Sequence, residues 1–180
     1  MRHGSREWFL RTPDEARRER LGRKRAEVGG LTVIWPANEE EVSYLWSHMR
    51  EEERKEAEDA GGDEAAHRKA VFSAERTFAI YHGDALLAVA TVYPLPKGGH
   101  GLSMERTVAA LVKGHRFTWL RAYGPLSRWI CGEYPDGLWT MTPVDLPRAL
   151  DVYRRAGAEV VGRTTFKGRE YFVLKIRVES

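Results

Sequence analysis

The sequence predicts an α/β fold in which antiparallel hairpins surround crossover helices. Three observations carry that expectation. Apolar, β-branched stretches meet at short glycine turns twice, around His82-Gly83-Asp84 and around Lys167-Gly168, as the strands of β-hairpins do. Segments with apolar residues at helical spacing alternate with those strands, most clearly Phe117, Leu120, Tyr123, Leu126 and Ile130. Hydrophobic content of 42% beside 31% charged residues is that of a globular protein, which excludes wholesale disorder and fibrous architectures.

The elements follow in order along the 180 residues, a length that suits one compact domain with an appendage. Residues 1–28 carry many charges and few apolar groups after Trp8, Phe9 and Leu10. Thr12, Pro13, Asp14 and Glu15 supply a cap, a first-turn proline and acidic residues, so an exposed helix is expected to about Val28, ended by Gly29-Gly30. Its arginines and lysines have no aromatic residues between them for base stacking, so a solvated face is expected rather than a nucleic-acid surface. The chain therefore divides into a charged helical extension, 1–30, and a folded unit, 31–180. "LTVIWPA" reads as a strand ending at Pro36, and Asn38 then caps one helix through "EEEVSYLWSHMREEERKEAEDA". A shorter helix, "DEAAHRKAVFSA", precedes the first hairpin. "LSMERTVAALV" reads as a further strand, although its alanines also suit a helix. "RFTWLRAYGPLSRWICGEY" is a helix with a kink expected at Gly124-Pro125, "GLWTMTP" a strand, and "DLPRALDVYRRAG" a helix with Asp145 near its cap and Gly157 just past its end. The second hairpin closes the order β, α, α, ββ, β, α, β, α, ββ.

Several function classes drop out. No apolar run approaches the roughly 20 residues that cross a bilayer, and the N-terminus has no signal-peptide core, so a cytoplasmic or packaged protein is expected. Cys131 is alone, which excludes an internal disulfide and a cysteine-rich zinc site. His48, His67, His82, His100 and His115 show no metal-ligand spacing, so no metal is expected. Ser103, Ser127 and Cys131 lie in no nucleophile elbow, and Cys131 on an apolar helical face reads as a small core residue. "KGGHG" reads as a flexible loop, because it does not open a helix.

The element order together with "RALDVYRRAGAEVVGR" resembles the GCN5-related N-acetyltransferase (GNAT) superfamily, with Ala149, Tyr153 and Gly157 on the positions of that family's last motif. A narrower likeness, over about residues 31–178, is to GNAT-like proteins of phages and prophages, including an internal virion protein of short-tailed phages. It is carried by "HMREEERKEAEDAGG", "YHGDALLAVATVY", "YPDGLWTMTPVDLPRALDVYRRAGAEVV" and "GREYFVLKI". The resemblance implies a mixed, mostly antiparallel sheet of six to seven strands flanked by helices. It also implies acetyl-CoA as cofactor in an active member, with Tyr153 protonating the departing thiolate; the alternative for Tyr153 is an aromatic packed on the sheet. A base is offered by Glu105, in the strand that borders the acyl site of the superfamily, or by Glu51, Glu52, Glu53 and Glu56, whose helix otherwise reads as a solvated face. The family's pyrophosphate loop, arginine- or glutamine-led with two glycines, corresponds to "VKGHRFTWL". Here Gly114 is the one glycine, bulky Phe117 and Trp119 follow, and Lys113, His115 and Arg116 supply charge. Leu146 and Pro147 replace the asparagine common before the last helix. Two readings result. The degenerate loop favours a structural, packaged or host-interaction protein of a phage, partnered by phage or host proteins; the alternative is an acetyl-CoA-dependent N-acetyltransferase acting on an amine of a protein or small molecule.

Overall fold

The computed structural model describes residues 19–59 and 61–178. Among these, eight strands form one sheet in the order β1-β2-β3-β4-β5-β6-β8-β7. The strands are β1 (Lys24–Val28), β2 (Leu31–Trp35), β3 (Arg76–His82), β4 (Ala85–Pro94), β5 (His100–Arg106), β6 (Leu138–Pro143), β7 (Glu159–Phe166) and β8 (Arg169–Ile176). The helices are α1 (Glu39–His48), α2 (Glu51–Asp59), α3 (Glu64–Phe72), α4 (Lys113–Cys131) and α5 (Pro147–Arg155). All neighbouring strands run antiparallel except β5 and β6.

The sheet is larger than the six to seven strands expected, because the helix expected to run to Val28 gives way to β1. Gly29 and Gly30 have φ of 60° and 87°, the left-handed pair of a two-residue hairpin turn, and Val28 pairs with Leu31 directly across it. Two consecutive glycines stop a helix, but they also return a strand. Here Ala26 and Val28 bury against the core, which decides for the strand. The expected helix start at Thr12–Glu15, with Trp8, Phe9 and Leu10, lies outside the described residues. The turn also packs closely on α4, since a Cβ on Gly29 would stand 2.9 Å from Ala122 Cβ. Gly29→Ala is therefore expected to lose about 2–4 kcal/mol in urea unfolding, the left-handed strain added to the crowding. Gly83→Ala, at the same φ of 60° with open space around it, should cost only the backbone strain, roughly 1 kcal/mol. Equal losses would refute the packing account.

A second correction concerns the long charged helix, which breaks into α1 and α2. Asn38 caps it as expected, in a full capping box with Glu41. At Met49 the backbone turns extended and bridges Thr107, and Arg50 N–H donates to Arg106 carbonyl oxygen. Met49 is buried, so its side chain and the free edge of β5 together outcompete helix continuation. "LSMERTVAALV" likewise splits into the end of β5 and a 3₁₀ turn at Val108–Leu111. Helix α4 runs through Gly124-Pro125 without ending.

Helices cover the sheet on both sides. Trp119, Ala122, Leu126 and Ile130 of α4 and Leu150 of α5 pack on one face, against Leu31, Val33, Ile80, Leu138 and Leu174. Val42 and Leu45 of α1 and Val71 of α3 pack on the other, against Ile34, Ala79, Tyr81 and Val89. Cys131 is a core residue, as the sequence suggests: its Sγ donates to Ile176 carbonyl oxygen, and burial pushes the thiol up, away from a reactive thiolate. No helix among the described residues is long and apolar enough to cross a membrane.

Candidate active site

Strands β5 and β6 pair only at their beginnings, His100 with Leu138 and Gly101 with Trp139, and then diverge. The wedge that opens between them is a cleft of about 380 Å³. Its β5 wall is Leu102–Arg106 and its β6 wall Thr140–Pro143; α2, α4 and α5 contribute Glu53, Tyr123 and Tyr153. The gap persists because β5 finds other partners for its free edge. Glu53 accepts from the Arg106 amide (2.6 Å) and from Arg106 Nε (2.7 Å), so a carboxylate of α2 stands where a neighbouring strand would. This corrects the solvated-face reading of that helix, since Glu53, Glu52 and Glu56 all line the cleft while Glu51 does not. Glu56 pairs with Arg169, and burial raises its pKa even so.

Alternation along β5 sends Thr107 N–H to Leu87 on β4 and Arg106 N–H to Glu53. With unbroken register against β4, the amide two residues earlier, Met104 N–H, therefore also faces the gap. It is the donor available in the splayed part of the strand.

The two residues proposed from sequence for chemistry both line this cleft. Tyr153 sits near the end of α5, which Gly157 closes: Gly157 has φ of 90°, and Ala158 N–H donates to Tyr153 carbonyl oxygen (3.0 Å), turning the helix into β7. Its ring meets Tyr123 of α4 edge-on, centroids 5.5 Å apart. Tyr123 is buried, and its pKa is driven well up by burial first and then by the neighbouring Tyr153. Sequence reasoning saw Tyr123 only as one of a helical apolar series; its position four residues after Trp119 on the buried stripe was the available signal.

Glu105 lies on the opposite face of the sheet from Met104. Its Oε2 is 2.9 Å from His67 Nε2 of α3, and its other oxygen has no hydrogen bond among the described residues. Acid and base candidates thus flank one opening that passes through the sheet.

The four residues proposed for phosphate binding, Lys113, Gly114, His115 and Arg116, form the first turn of α4 and are not among those lining the cleft. They stand about 4.5 Å (Arg116) to 9 Å (Lys113) along the helix axis from Trp119, which does line it. That turn has no side-chain cap and no acidic residue. His115 and Arg116 amides donate to Val112 carbonyl oxygen, while Lys113 and Gly114 amides have no partner among the described residues. A Cβ on Gly114 would meet nothing within 4 Å. His115 itself is engaged elsewhere, its Nδ1 2.8 Å from His82 Nδ1.

No family model and no curated protein matches this sequence. Solved structures do match. A GNAT-family acetyltransferase from Bordetella pertussis superposes with TM-score 0.62 and 13% identity, over 87% of this chain and all of that one. A GNAT-family acetyltransferase from Bacillus anthracis gives TM-score 0.62 and 10% identity over 86% of this chain and 98% of that one. AAC(6')-Ib in complex with ribostamycin and coenzyme A gives TM-score 0.60 and 16% identity over 81% and 92%. The fold is that of the GNAT acetyltransferases, mixed α/β with a mostly antiparallel sheet, and at these identities the likeness is one of fold.

Proposed function

We propose that this chain is an acetyl-CoA-dependent N-acetyltransferase whose acceptor is an amine. The observation that carries the reading is the wedge between β5 and β6, where a free strand amide, Glu105 and Tyr153 surround one opening. The residues also suit the cofactor: the uncapped first turn of α4 offers two free amides and the positive end of the helix to phosphate, with Lys113 and Arg116 beside it. The solved complex of a similar fold with coenzyme A supports the same choice.

Acetyl-CoA supplies the acetyl group and the thiol that leaves. Glu105 takes the proton that the amine sheds as its nitrogen bonds to the acetyl carbon. Met104 N–H donates to the acetyl oxygen as negative charge gathers there. Tyr153 gives its hydroxyl proton to sulfur as the carbon–sulfur bond breaks, and solvent returns a proton from Glu105 to Tyr153, restoring both residues. Glu53 keeps the Arg106 amide and guanidinium occupied, so the wall of the opening holds its shape when the cleft fills.

The phage-type reading, a structural, packaged or host-interaction protein in a host cell or virion, rests on the one-glycine loop at Gly114 and on Glu53 closing a strand amide. The comparisons lend it no support. Calorimetry with acetyl-CoA separates the two readings. Binding is expected, weakened about ten-fold by Lys113→Ala or Arg116→Ala through loss of a charge-assisted contact. A wild-type chain that gives no heat would remove the enzymatic reading.

A further inference from the structure

Helix α3 buries the apolar Val71, and its part-buried His67 contact reaches Glu105, which lines the cleft. Asp63 caps the helix through Ala66 N–H (2.8 Å), which fixes the first turn that carries His67. The His67 ring packs against Trp46 of α1, centroids 5.1 Å apart, and its side chain is only 7% exposed. Nε2 meets Glu105 Oε2 at 2.9 Å, 38 residues along the chain. Nδ1 is buried with no hydrogen-bond partner among the described residues.

That orphan nitrogen bears on which ring nitrogen donates. An ionised carboxylate only accepts, so the imidazole proton must sit on Nε2, leaving Nδ1 as a bare acceptor. A second proton would bury an N–H donor with nothing to receive it. One carboxylate oxygen is tied to α3 in this way, while Glu105 itself lines the cleft.

We propose, resting on the acetyltransferase reading, that His67 is a positioning residue: through its Nε2 bond it holds Glu105 oriented as the base that takes the amine proton. A buried pair kept only for stability would have no reason to leave its carboxylate half-bonded at the edge of the opening.

Nitrogen-15 NMR of the imidazole tests this on the full chain without turnover. His67 is expected as the Nε2-protonated tautomer, and Glu105→Leu should convert it to a mixture of tautomers. An Nδ1-protonated native ring, or a signature unmoved by Glu105→Leu, would overturn the proposal. With acetyl-CoA and spermidine or ribostamycin as the amine, His67→Leu should lower kcat about ten-fold at unchanged KM for acetyl-CoA. His67→Gln, which keeps a donor near the Nε2 position, should recover most of the loss; equal rates in all three proteins would overturn the role. Acetyl-CoA binding with an uncoupled His67 removes this inference alone. The coupled signature in a chain that gives no acetyl-CoA heat removes the enzymatic reading, and the catalytic sense of the pair with it.

Discussion

Tyr153→Phe is expected to slow acetyl transfer about 100-fold while leaving KM for acetyl-CoA within a factor of two, the pattern of a group that acts only as the bond to sulfur breaks. The substitution removes one oxygen at the end of α5, so the ring contact with Tyr123 stays and the cleft keeps its shape. Tyr123→Phe, at the ring it packs against, leaves the Tyr153 proton in place and should reduce kcat far less. A Tyr153→Phe enzyme as fast as wild type would return Tyr153 to the other role its sequence position allows, an aromatic packed on the sheet.

The largest expected loss of stability is at Glu41, a fully buried carboxylate on α1. It receives Arg23 through two nitrogens (2.9 and 2.6 Å), the Tyr81 hydroxyl (2.6 Å) and the Asn38 amide (2.9 Å). Burial works to lower the pKa of Arg23, but the hydrogen bond and charge of Glu41 outweigh it and the guanidinium stays firmly charged. Tyr81 is pushed far up, by burial first and then by the same carboxylate. Glu41→Ala leaves both partners unmatched inside the protein. Truncating one member of a buried pair costs about 3–5 kcal/mol, and the lower end applies here because Arg23 keeps Glu19 and Pro36 carbonyl oxygen. Chemical denaturation reads the change directly, and a loss below about 1 kcal/mol would show that the network adds nothing to folding. Glu41→Gln, which can still accept two of the bonds, should fall between.

The same residues show how far local pattern reaches. Asn38 and Glu41 spell a capping box in the sequence, and the box forms. What the spacing hides is that the box carboxylate faces inward and is shared with Arg23, from a segment that sequence composition assigned to a solvated helix. Glu53 repeats the lesson: a run of glutamates reads as an exposed face, yet that glutamate lies against the free edge of a strand 53 residues later. His67 carried no motif at all, because its partner is fixed by how α3 crosses the sheet and not by any separation along the chain.

Sequence alone determined the features that depend on neighbours a few residues away. The hairpins at Gly83 and Lys167-Gly168, the cap at Asn38 and the left-handed exit at Gly157 each follow from backbone preferences that operate within one turn. The placing of Tyr153 near the end of α5, and of Glu105 on β5, follows from those limits. Tertiary structure alone decided whether Gly29-Gly30 ended a helix or joined two strands, because both outcomes satisfy the glycines and only burial of Ala26 and Val28 separates them. It alone decided where the sheet splays, since β5 parts from β6 when α1, α2 and Glu53 take up its free edge. Hydrogen bonds between distant segments are set by where the core brings them together, and a local pattern carries no record of that meeting.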